Sequence, residues 1–203
     1  AQIDPDNRWL TRGARYRLDA EVLRDMAMSV SGLIHNQLYG PSVLPPVPES
    51  VLDYNYVKPD YWKPTEGVHR YRRTIYGFRK RSMPDPSMSA FDAPNGDFAC
   101  ARRIRSNTPL AALTSLNETI FVESSRAFAL RVLREGGSDD TTRINFAFLA
   151  CMSRYPTADE RMAMQDLLAQ QRQRVADGWL NARELTTGTA DKLPDLPESA
   201  TPQ

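Results

Sequence analysis

Histidine and cysteine are scarce in this sequence, with two of each in 203 residues. His35 and His69 fall in no HExxH or CxxCH arrangement and lie at no zinc-like spacing from Cys100 or Cys151. The chain is therefore expected to hold no metal and no haem of its own. Nothing in the sequence says that the two cysteines meet, so both are expected to be unpaired thiols. GxGxxG and GxxxxGK[ST] are absent, which leaves nucleotide binding without a motif. No apolar run approaches the roughly eighteen residues of a membrane-spanning helix, so no direct membrane span is expected. The opening AQIDPDNRWL lacks the basic and apolar regions of a signal peptide. An excess of one charge is missing too: 26 basic residues stand against 25 acidic ones. A near-neutral chain with a pI near 8 is not built as a nucleic-acid binder, whose domain pI exceeds about 9.

What is present is uneven. Between Arg70 and Arg105 there are nine Lys/Arg and three Asp, a local charge of +6, which leaves −5 for everything else. Charge segregated this tightly serves either an anion site or a set of internal ion pairs. A 41% hydrophobic content supports a single helical domain over residues 1–185. The polar, proline-bearing stretch 186–203 reads as a linker or disordered tail.

The periodicity is mainly helical, with little or no sheet expected. From Tyr16 to Ile34, Leu18, Val22, Met26, Val30 and Leu33 fall on one side at helical steps, and Arg17, Glu21, Arg24 and Asp25 on the other. The charged side predicts Arg17–Glu21 and Glu21–Arg24 pairs. Residues 36–66 carry Pro41, Pro45, Pro46, Pro48, Pro59 and Pro64 and form a long irregular excursion. Tyr54, Tyr56, Tyr61 and Trp62 in it imply a segment laid over the core, the alternative being an aromatic platform for a flat ligand. Tyr71, Ile75 and Phe78 predict a helix through the basic block, with a strand as the second choice. Met83-Pro84-Asp85-Pro86 ends it, and an extended connection with a turn at Asn95-Gly96 follows.

Thr108-Pro109 then signals a helix over 109–116. Asn117 is expected to cap a second one to Glu135, stopped by Gly136-Gly137. A third spans 141–154, with Ile144, Phe148, Leu149 and Met152 inward. The capping box Thr157-Ala158-Asp159-Glu160 opens a fourth, reaching about Arg183.

The ordered series RYRLDAEVLRD, GPSV, YRRTIYGFRKRSMPDPSMSAFDAPN and RRIRSNTPLAALTSLNETIFVESSRAFALRVL resembles the C-terminal domain of unknown function of planctomycete-type multidomain proteins that carry cytochrome c modules. The likeness runs from about Arg15 to Tyr155. It implies an exported, periplasmic or cell-surface parent protein, haem on another module, other domains of that parent as partners, and a tie to redox chemistry or polysaccharide processing. It supplies no activity. Ala111 stands where relatives are expected to have Gln, and relatives are expected to continue at both ends, which would make this chain a fragment.

The residues leave three roles open. Arg15, Arg17, Arg24, Arg72, Arg73, Arg81, Arg102 and Arg105 can form an inward network with Glu21, Asp25, Asp92, Asp97 and loop carbonyls, which suits a non-catalytic interaction or scaffold domain. The same arginines, with Tyr76 and Asn107, can instead converge on an anionic polysaccharide. The third role is a hydrolase using Glu21, Asp25 or Asp92. Neighbouring arginines lower a carboxylate's pKa, which suits an ionised nucleophile or base better than the protonated acid a glycosidase also needs. His69 reads as a surface residue.

Overall fold

The computed structural model describes residues 4–11, 13, 17–47, 53 and 62–187. Arg15, Tyr16, Tyr54, Tyr56, Tyr61 and nearly all of the expected tail therefore lie outside the described residues. Among those described there are seven α-helices and no strand: α1 Ala20–Ser31, α2 Pro86–Ala90, α3 Pro109–Asn117, α4 Thr119–Glu135, α5 Asp140–Met152, α6 Ala158–Ala176 and α7 Ala182–Thr187. The protein is mainly helical, as the periodicity predicts.

Local chemistry sets most helix ends. Thr108 accepts from the Ala111 amide, with Pro109 at the first helical position of α3. Thr157 and Glu160 complete the capping box of α6. Gly32, at φ +81°, ends α1 in the left-handed conformation that glycine adopts without strain. Several boundaries differ from expectation. α1 occupies only Ala20–Ser31 of the 16–34 stretch, and α5 starts at Asp140 and stops at Met152, where Ser153 turns left-handed at φ +55°. Glu118, not Asn117, caps α4, its carboxylate accepting from the Ile120 amide. The last long helix stops at Ala176 instead of Arg183, because Gly178 turns left-handed at φ +75° and α7 restarts behind Asn181. Asp85-Pro86, read as a break, also opens a helix: Asp85 accepts from the Ser87 and Met88 amides, giving the five-residue α2.

The arrangement is built around α1, which lies along α4 and also touches α2 and the Thr74–Tyr76 turn. α3 packs on α2 and α4, while α5 joins α4 to α6. The core between α1, α2, α3 and α4 is small: Ala20, Met88, Phe91 and Ala111, with Leu23, Ala93 and Phe121 against it. Phe91 and Phe121 meet edge to face at 5.5 Å.

The expected inward stripe of α1 is displaced. Val22 and Met26 are exposed, whereas Ala20, Met28 and Ser31 are buried. At about 100° per residue, Ala20, Arg24, Met28 and Ser31 share one face. The polar side of α1 has partners in the basic block and turns inward with them, which carries Val22 and Met26 outward. Leu149 and Met152 of α5 are also exposed, and Ile144 is the buried residue of that helix.

The basic block is not a continuous helix. It forms two 3-10 turns, Gly67–Tyr71 and Thr74–Tyr76. Isolated parallel bridges tie it to the residue just before the excursion, at His35 with Arg72, and to the excursion itself, at Val43 with Gly77. Val43 donates to the Tyr76 carbonyl at 2.7 Å and accepts from the Phe78 amide at 2.8 Å. The helical spacing of Tyr71, Ile75 and Phe78 loses to these backbone partners, and Ile75 is exposed. Trp62 packs edge to face on Phe78 at 5.6 Å and donates to the Pro45 carbonyl at 2.9 Å, so this part of the excursion is laid onto the block.

Candidate functional site

The arginines of the block and the polar face of α1 are brought together in three adjoining groups. At the centre is Arg72, 2% exposed. Its Nη1 donates to the Pro41 carbonyl at 2.7 Å, and its Nη2 to the carbonyls of Gln37, at 3.3 Å, and Tyr39. The guanidinium lies over the Tyr76 ring, 3.9 Å from its centroid. The Tyr76 hydroxyl accepts from the Tyr39 amide at 3.1 Å. The 37–41 segment is thus wrapped around one side chain, using the planar fork that distinguishes arginine from lysine. Arg72 Nε has no acceptor among the described residues.

Beside it, Arg24 donates to the carbonyls of Arg70, at 2.8 Å, and Arg72, at 3.0 Å, and to Thr74 Oγ1 at 3.2 Å. Burial pushes its pKa down, and nearby carboxylates, Asp25 first among them, oppose that. Asp25 accepts from the amide and hydroxyl of Thr74 at 2.7 and 2.6 Å and pairs with Arg73 at 3.4 Å. These contacts pin the second 3-10 turn to α1.

The second group is centred on Glu21. Arg103 grips it with two nitrogens, at 2.6 and 3.2 Å, and Arg79 binds the same carboxylate. Burial alone would raise its pKa, but the hydrogen bonds from Arg103, its own backbone and Arg79 overcome that and lower it to about 2. Arg103 and Arg105 each approach Asp19 at 3.7 Å.

In the third group, Asp92 sits at φ +64° and accepts from the amide and hydroxyl of Ser106 at 2.7 and 2.8 Å. These bonds hold its pKa below the usual range. Arg17 donates to the Ser106 carbonyl and stacks 5.8 Å from the Phe91 ring.

Not every candidate joins these groups. Arg102 and Asn107 are exposed in the connection before α3, and Arg81 is exposed in the turn that follows Lys80. The anticipated Arg17–Glu21 and Glu21–Arg24 pairs give way to the partners just described. The three carboxylates proposed for hydrolysis are each engaged: Glu21 by arginines, Asp25 by Thr74 and Arg73, Asp92 by Ser106. His69 is exposed, its ring edge-on to His35 at 5.5 Å. Cys100 and Cys151 are free and exposed. No group of three or more His, Cys, Asp and Glu among the described residues is placed to hold a metal ion.

Several participants lie outside the candidates drawn from the sequence, among them Arg79, Arg103 and Asp19 of the Glu21 group. Arg70 binds Glu123 of α4, which also accepts from the Tyr71 hydroxyl at 3.3 Å. Asp85 and Glu118 are helix caps that also line a cavity of about 220 Å³ between the block, residues 43–46, α2 and the start of α4. Burial raises the pKa of Glu118, with Asp85 adding to the effect and backbone hydrogen bonds opposing it. The Asp85-Pro86 signal is the one that identifies Thr108-Pro109, so that cap was legible in principle. Nothing local marks Glu123.

Comparison with known proteins finds one family over most of the chain. Residues 1–168 match the family described as PSD1: Protein of unknown function (DUF1553). No curated protein and no solved structure matches.

Proposed function

We propose that this chain, which belongs to the PSD1 (DUF1553) family of proteins of unknown function, is a non-catalytic interaction and scaffold domain whose partner covers the leucine face of α3. One observation carries this reading. On α3, Ala111 is the residue packed inward, while Leu110, Leu113 and Leu116 are 61%, 58% and 74% exposed. Steps of three residues place these leucines within about 120° of one another. Ile104 and Phe98, in the preceding connection, are exposed as well. An apolar stripe of this kind on a capped helix fits a protein interface better than free solvent.

The ion-pair geometry supports a structural role for the arginines. Glu21, Asp25 and Asp92 are each held in place by arginines, Thr74 or Ser106, and the bonds to Glu21 and Asp92 favour their ionised forms. Arg72 and Arg24 spend their donors on backbone carbonyls, leaving few for an outside polymer.

The motif resemblance supports the finer reading: other domains of an exported, extracytoplasmic parent protein as partners, with haem on a cytochrome c module of that parent. Hydrogen–deuterium exchange tests the proposal by comparing the isolated chain with its full-length parent. Amides of α3 should exchange at least about tenfold more slowly in the parent, and Leu113→Glu with Leu116→Glu should abolish that protection. Equal exchange of α3 in the two proteins would reject a covering partner.

A further inference from the structure

The cavity beside the arginine groups has features that a scaffold role does not use. Phe78, Pro45, Pro46 and Ile120 give it an apolar wall. Arg81 lines it and makes no hydrogen bond or ion pair among the described residues, in contrast to Arg79, which holds Glu21. Asp85 and Glu118 also line it. Each commits one oxygen to the protein: Asp85 Oδ1 accepts from the Ser87 amide and hydroxyl, at 2.9 and 2.6 Å, and Glu118 Oε2 from the Ile120 amide at 2.8 Å. Asp85 Oδ2 and Glu118 Oε1 take no part in those bonds. Arg24, Arg70, Arg79 and Lys80 line it as well, and the three arginines are engaged by Arg70 and Arg72 carbonyls, Glu123 and Glu21 respectively. The cavity therefore combines a basic surround that includes one uncommitted guanidinium, two acceptor oxygens and a carbon wall with an aromatic ring.

We propose that this cavity binds a small polyhydroxylated carboxylate about the size of one sugar ring, with Arg81 on the ligand's carboxylate and Asp85 and Glu118 on its hydroxyls. A guanidinium matches a carboxylate in a two-pronged pair. Hydroxyl groups donate to carboxylate oxygens that would otherwise be desolvated without a partner. The carbon face of a ring then lies against Phe78 and the prolines, in the usual manner of concave sites with a few placed polar groups. A cavity of about 220 Å³ leaves room for one substituted six-membered ring. Sulfate, which carries no proton, could pair with Arg81 but would donate nothing to either carboxylate oxygen. This inference does not depend on the leucine face of α3, and either can fail without the other.

The test is an amide chemical-shift titration of the chain at low ionic strength, using glucuronate, glucose and sulfate as separate probes. Glucuronate is expected to saturate shifts at Phe78, Arg81, Met88 and Ile120 with a millimolar dissociation constant. Glucose should bind at least about tenfold more weakly, and sulfate should leave Phe78, Met88 and Ile120 unmoved. Arg81→Ala should weaken glucuronate binding about tenfold and Arg81→Glu should abolish it. Arg81 is exposed in a turn, so neither variant disturbs packing. Absence of saturable shifts with glucuronate, equal binding by Arg81→Ala, or the same shifts with sulfate would each overturn the proposal.

Discussion

At the scale of single residues, the main lesson is how differently two kinds of arginine are used. Arg72 and Arg24 are neutralised largely by carbonyl dipoles, and Arg79 and Arg103 by a carboxylate. Lysine at position 72 could reach one carbonyl but could not present a flat fork to three while covering a tyrosine ring. Arg72→Lys is expected to cost about 2 to 3 kcal/mol in urea unfolding, and an unchanged midpoint would show that the 37–41 wrap does not depend on this side chain. Glu21 behaves oppositely with respect to pH. Its folded pKa, near 2, lies below the ordinary carboxylate value of 4.5, so its contribution is present above pH 4.5 and lost as pH falls toward 2. After allowing for the exposure of Arg79, on the order of 2 kcal/mol should disappear over that window. Glu21→Gln should remove this acid sensitivity; urea midpoints measured from pH 6 to pH 2.5 would show it, and identical slopes in the two proteins would contradict it. Arg72, Arg24 and Glu21 are legible in the sequence as members of a visible charge cluster, whereas nothing there distinguishes Arg79 and Arg103 from their neighbours. The pairing is not legible, since Glu21 and Arg103 are 82 positions apart and only the fold decides that they meet.

At the scale of elements, legibility follows the range of the forces involved. Thr108-Pro109 and Thr157 through Glu160 act within three residues, and both helices begin where the sequence places them. Thr157→Ala should lower thermal stability by about 1 kcal/mol, and a smaller loss on replacing Thr157 with Ser would assign the effect to the hydroxyl. The Arg70–Phe78 stretch departs from its helical spacing for the opposite reason. Its helical spacing is weak information beside bridges to His35 and Val43 and a carboxylate from α1 that captures Thr74. The rotation of α1 has the same origin: a helix with charged partners waiting on one side buries that side, and hydropathy alone then misplaces Val22 and Met26.

At the scale of the whole molecule, stability is unevenly distributed. Among the described residues of α6, none is buried, and this 19-residue helix packs mainly on α5. α1 and α4, in contrast, run side by side at the centre. Amide exchange should therefore be fastest in α6 and slowest in α1 and α4, with α6 opening without global unfolding; equal protection across all three would indicate one cooperative unit. The long-range pairs of α1 also impose an order on biosynthesis. Asp25 waits 49 positions for Thr74, and Glu21 waits 82 for Arg103. At about 5 to 20 residues per second, the acidic face of α1 emerges roughly 4 to 16 seconds before Arg103 exists to meet it. A chain ending at Cys100 should accordingly remain protease-sensitive, whereas one carried through α4 should resist. The front half of this protein can be assembled only backwards, by the basic segment that follows it out of the ribosome.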